Sequence, residues 1–168
     1  MTRLLVCLLL LATSACGQEG YDGPRFHSTE DGVSFAKLTG WNVTRERATV
    51  VLSNPKRAAT IAIRTIPRDG WSEPRDSESV FPAVATVLGS LPQARVSEPK
   101  DVAAADYPAV EYDVDFRPSR AGKLYQRRHI ALLADSHVIH VFIVAPAGQL
   151  EYSRAAFETI VKTIREEG

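Results

Sequence analysis

The sequence predicts an α+β fold: an antiparallel β-sheet of about six to seven strands with helices packed on it. Three observations carry this. Short runs of alternating apolar and polar residues, bounded by turn residues, fill residues 26–66 and 109–144. Two segments repeat apolar residues at helical spacing. Their order is hairpins, helix, antiparallel meander, helix.

The elements follow in order. Phe26-His27 precedes the turn residues Glu30-Asp31-Gly32, after which Val33 and Phe35 alternate with Ser34. Trp41 to Arg45 and Thr49 to Ser53 form a hairpin, and Asn54-Pro55 marks a turn. Ala59 to Ile66 is a strand with Ile61 and Ile63 on one side. A polar loop, Pro67 to Asp76, leads to a helix whose inward stripe is Val80, Val84, Val87, Leu88 and Leu91. Ser77 or Ser79 can cap it, and Pro82 sits in its first turn, where a missing N–H costs little. Ala94 to Val102 is a weak strand broken by Pro99. Ala109 to Phe116, Leu124 to Leu133 and His137 to Val144 form the meander. The last helix runs from about Glu151 to Arg165, burying Phe157, Ile160, Val161 and Ile164.

The N-terminus predicts location. Arg3, the apolar run Leu4 to Ala12, and Ser14-Ala15 before Cys16 make a secretory signal peptide. The run is shorter than the roughly 20 residues that span a bilayer as a helix. Small residues directly before a cysteine resemble the lipobox of bacterial lipoproteins, although Thr13 stands where that pattern prefers Leu. The resemblance implies lipidation of Cys16 with diacylglycerol and acyl chains such as palmitate. The expected organisation is residues 1–15 signal peptide, 16–24 lipidated cysteine and flexible tether, and 25–168 one domain. The expected location is the cell envelope; Gly17 is not the inner-membrane retention signal. In a Gram-negative host that means the outer membrane, facing the periplasm.

Composition narrows the function classes. Basic and acidic residues balance at 20 each, which gives no footprint for nucleic acid. Cys7 and Cys16 are the two cysteines, so the mature domain holds no disulfide and no zinc spacing. Nucleophile elbow, phosphate-binding glycine loop and metalloprotease helix motifs are absent. Asp135-Ser136-His137 places triad residue types in one turn, whereas a triad converges from separate segments. The expectation is a non-enzymatic protein without a cofactor.

Gly32-Val33-Ser34-Phe35, Gly40-Trp41, Tyr107-Pro108-Ala109-Val110-Glu111-Tyr112, the Tyr125–Val144 hairpin and the closing helix around Phe157 to Ile164 resemble PsbP-like domains. Such domains also occur in DcrB-like and LpqN-like bacterial lipoproteins. Thr39 stands where the family usually has Pro. The resemblance implies a sheet sandwiched between helices and a binding or assembly role, with an envelope protein and the membrane as partners.

One polar constellation is a candidate site. With even residues of the Ala109 strand opposite even residues of the next, one face is core: Val110, Tyr112, Val114, Phe116, Leu124, Ile130, Leu132, Ile139, Val141 and Ile143. The other collects Glu111, Asp113, Arg127, His129 and His140, with Asp115, Tyr125 and Phe142. Carboxylates and imidazoles together suit a ligand or a divalent transition metal. The plainer expectation is a solvated ladder of cross-strand ion pairs on a half-exposed sheet, with no metal. His27 and His137 are expected to stand isolated at the surface. Trp41 and Trp71 are expected to pack at the core or rim. A cleft beside Trp71 is a second candidate ligand site.

Overall fold

The computed structural model describes residues 23–68 and 77–167. The signal-peptide segment, Cys16 and Trp71 lie outside these. The strands are β1 (Arg25–Ser28), β2 (Val33–Ala36), β3 (Asn42–Arg45), β4 (Val50–Ser53), β5 (Thr60–Pro67), β6 (Arg95–Val96), β7 (Lys100–Ala104), β8 (Tyr107–Phe116), β9 (Tyr125–Leu133), β10 (His137–Pro146) and β11 (Arg165–Glu166). The helices are α1 (Ser77–Gly89) and α2 (Arg154–Thr163), the latter entered through a 3-10 turn, Leu150–Ser153. The α+β expectation holds. An eight-stranded antiparallel sheet has the order β3-β4-β5-β10-β9-β8-β6, and β7 also pairs with β8. β6 and β7 are two pieces of one edge strand. The pairing of Arg95 with Asp115 and of Lys100 with Glu111 shows a one-residue slip between them, in the stretch that holds Pro99.

The sheet buries both faces, unlike the half-exposed sheet expected. On one side, α2 and the small sheet β1-β2-β11 cover Val50, Leu52, Ile61, Ile63, Ile130, Leu132, Ile139, Val141 and Ile143. Phe157, Ile160, Val161 and Ile164 enter this core, as their helical spacing predicts. On the other side, α1 lays Val80, Val84 and Leu88 on Val110, Tyr112, Val114, Ala131 and Val138. Tyr112 pins the helix: its hydroxyl donates to the Phe81 carbonyl at 2.7 Å.

Two local differences from the sequence reading have clear causes. The last helix ends at Thr163, and Ile164 turns extended. Arg165 and Glu166 then pair with β2. All four β2 residues are buried, so an unpaired β2 edge would leave buried peptide groups unsatisfied. His27 and His137 are not isolated. Their Nδ1 atoms lie 2.6 Å from Glu167 and Glu166, which tie the C-terminal strand to β1 and to the start of β10.

The two faces are covered unequally. A helix is about 10 Å across, and strands repeat about every 4.8 Å. One helix therefore shields about two strands. α1 packs on β6, β8 and β9. Past Val138, the same face of β10 and that of β5 and β4 extend beyond the helix among the described residues. That step between covered and uncovered sheet creates the pocket described next.

Candidate functional site

Arg127 and His129 are two apart on β9, and His140 and Phe142 two apart on β10, so each pair projects to one face. The ladder sets Phe142 opposite His129. All four lie on the α1 side, at its uncovered flank. The predicted grouping of Arg127, His129 and His140 is therefore found. Glu111 and Asp113 are not with them. The β8–β9 register pairs Tyr112 with His129 and Asp113 with Arg128. It differs by one residue from the expected pairing, and one residue moves every side chain of β8 to the other face. Glu111 and Asp113 project to the α2 side, where Arg128 Nε lies 3.5 Å from Glu111 and 2.9 Å from Asp113. An ion-pair ladder forms there around Arg128 rather than around the expected Arg127 and His129, with Lys100 joining Asp113 at 3.4 Å. Fully buried Val110, Tyr112 and Val114 share the face of the histidines instead.

The hydrogen bonds among the remaining polar residues have a fixed direction. An Arg127 Nη lies 2.6 Å from His129 Nδ1. Guanidinium has donors only, so His129 Nδ1 accepts, and its proton sits on Nε2. His129 Nε2 lies 3.0 Å from His140 Nδ1. That nitrogen must accept as well, which places the His140 proton on Nε2. Donation therefore runs from Arg127 to His129 to His140. It ends on His140 Nε2–H, which is buried and has no partner, as is Arg127 Nε–H. Only one other unpartnered buried side-chain polar atom, on Ser153, occurs among the described residues.

Burial sets the electrostatics. His129 is 3 % exposed and His140 9 %. Desolvation, reinforced by the Arg127 charge and by His140, holds His129 well below the usual imidazole range. Desolvation, then Arg127 and Arg64, pushes His140 down to about 4. Both rings are neutral at pH 7, as the donor chain requires. Burial also pulls the Arg127 guanidinium down to about 10, so it stays charged. Its Cζ sits 3.8 Å above the centre of the Phe142 ring, and His129 lies parallel to that ring at 5.6 Å. The ring's π face is the nearest substitute for a counter-charge. No carboxylate pairs with Arg127 among the described residues.

These side chains floor a pocket of about 340 Å³. Its other wall is α1, through Ala83, Val84, Val87, Leu88 and Leu91. Thr49, Arg64 and Ile66 complete it. Val87, expected to face the core, is 68 % exposed at this wall. The inward stripe is narrower than the five-residue pattern, and its flank lines the pocket. No three His, Cys, Asp or Glu side chains converge as a metal site among the described residues. Arg64 and the helix flank were not singled out from sequence; the signal available was an apolar stripe wider than one helix contact needs.

No family model matches the sequence, and no curated protein does. Solved structures do resemble it. A Bacteroides thetaiotaomicron protein superimposes with TM-score 0.63 at 13% identity, over 87% of this chain and 49% of its own. This chain thus spans about half the length of that protein. LpqN of Mycobacterium tuberculosis, described as involved in cell envelope biogenesis, gives TM-score 0.61 at 14% identity over 89% of this chain and 88% of LpqN. PsbP of the cyanobacterium Synechocystis gives TM-score 0.54 at 15% identity over 92% and 98%. At such identities the likeness shows the fold. This is an α+β sandwich of the PsbP-like kind.

Proposed function

We propose that this chain is a non-enzymatic binding module of the cell envelope whose working surface is the pocket between α1 and the sheet. The observation that carries the reading is Arg127: a half-buried guanidinium with no carboxylate partner among the described residues, beside a cavity. Burying a charge without a partner is costly, and occupancy by a ligand is the simplest compensation. The lining suits binding. It holds no Ser, Cys or carboxylate among the described residues, and both imidazoles are desolvated and neutral. Of the roles the polar sheet face suggests, ligand or metal binding beside protein contact, the pocket supports a small ligand, on a site that omits Glu111 and Asp113. The proposed tether is lipid on Cys16. No helix among the described residues is long and apolar enough to cross a membrane, and the LpqN likeness is consistent with an envelope setting.

A neutral apolar dye such as Nile red tests the pocket. It should bind saturably to the purified domain and be displaced by Ala83→Trp, which fills the wall from the exposed side of α1. Equal dye binding by the folded variant would refute the pocket as the working surface.

A further inference from the structure

We propose that the pocket takes an amphipathic monocarboxylate, a short fatty-acid-like molecule whose carboxylate pairs with Arg127 and whose alkyl body lies along Ala83, Val87 and Leu91. The inference rests on the pocket reading above and adds the chemistry of the occupant.

Four features of the site select that class. First, the unmatched groups are all donors. Arg127 Nε–H and His140 Nε2–H are buried without partners, and the direction of the donor chain makes the second a donor too. An occupant bearing acceptor oxygens satisfies this floor, whereas one bearing N–H groups does not. Second, the charge is one-sided. Arginine and neutral histidine line the pocket, and no carboxylate does among the described residues. A cationic head would meet Arg127 and Arg64 with nothing to offset them. Third, one half-buried guanidinium calls for one negative charge. Arg64 is exposed and already solvated. A phosphate monoester near its doubly charged state would carry excess charge into a desolvated site. Fourth, the opposite wall is apolar through Ala83, Val87 and Leu91. The 340 Å³ volume is at the small end of ligand sites, so the body is a short chain or a single ring.

A head-group series separates this inference from the pocket reading. Octanoate, octanol, octylamine and octyl phosphate are titrated calorimetrically into the purified domain near neutral pH, with Arg127→Met, Arg127→Lys and Ala83→Trp alongside. The expected result is saturable binding of one equivalent of octanoate, with octanol and octylamine at least tenfold weaker. Arg127→Met should bring octanoate down to the level of octanol. Arg127→Lys keeps the charge and should keep the preference for the acid, so the inference remains testable should the Met variant fold poorly. Equal binding of octanoate and octanol, both blocked by Ala83→Trp, would overturn the acid assignment and leave the pocket standing. Octyl phosphate binding more tightly than octanoate would overturn the single-charge argument. Binding of none of the four would overturn both the inference and the pocket reading.

Discussion

Replacing Arg127 by methionine should leave the free protein nearly as stable as the wild type. The magnitude follows from the site. Burial pulls the guanidinium down from its usual range to about 10, which corresponds to about 3 kcal/mol of unfavourable desolvation carried by the charged form. Methionine removes that cost and keeps a comparable apolar stem. It also removes two favourable contacts. The charged hydrogen bond to His129 contributes about 1.5–3 kcal/mol, and the contact with the Phe142 ring about 1 kcal/mol. The terms nearly offset, so Arg127→Met should fall within about 1 kcal/mol of wild type. An arginine in a buried ion pair behaves differently: breaking the pair costs about 3–5 kcal/mol. Urea unfolding followed by far-ultraviolet circular dichroism measures the difference, provided the slope is unchanged. A loss of 3 kcal/mol or more would show that Arg127 is a structural keystone, and the reasoning that leaves its charge free for a ligand would fail.

Acid should destabilise the fold through the histidine pair. The unfolded chain takes up a proton near pH 6.5, while folded His140 refuses one until about 4. The unfolded state therefore binds more protons throughout that window, and stability falls as pH drops through it, by up to about 3 kcal/mol. His129 shifts in the same direction; unfolding curves that are flat between these pH values, or unchanged in slope by His140→Gln, would contradict this. Ile143, fully buried on β10, should cost about 2–5 kcal/mol when cut to alanine. Ser136→Ala should cost about 1 kcal/mol, for its bond to Glu166, and equal denaturation midpoints would refute the register. Cys16→Ala should release the protein from membranes or block maturation, and intact mass of the wild type should show an acylated N-terminal cysteine.

Much of the architecture was legible because apolar spacing reports burial directly. Ile61 and Ile63, the Phe157–Ile164 stripe and the β9–β10 hairpin were all read from period and turn residues. The two-residue stretch Asp135-Ser136 fixes that hairpin's register, which is why Arg127, His129, His140 and Phe142 were grouped correctly. β8 and β9 are joined by a longer loop around Pro118 to Gly122, and its length does not dictate parity. The slip there exchanged Glu111 and Asp113 for Tyr112 and Val114. Alternation alone could not correct it, because both faces of β8 are partly covered and Arg128 supplies a partner on the other side. β11 was illegible for another reason. Two residues carry no periodic signal, and the free edge of β2 that recruits them exists only in three dimensions. The pocket was half legible. Its floor is written as Arg-x-His and His-x-Phe, but its wall depends on how little of the sheet α1 covers.

In the proposed site, the donor chain from Arg127 ends in an unsatisfied donor awaiting a ligand's oxygen. Nitrogen-15 NMR of the imidazoles, recorded at neutral pH before and after adding octanoate, reads both the tautomers and the contact. His129 and His140 should both be neutral with the proton on Nε2, and octanoate should shift the His140 Nε2–H resonance while leaving His27 unmoved. A protonated ring, an Nδ1–H tautomer on either residue, or a His140 signal indifferent to the acid would contradict it.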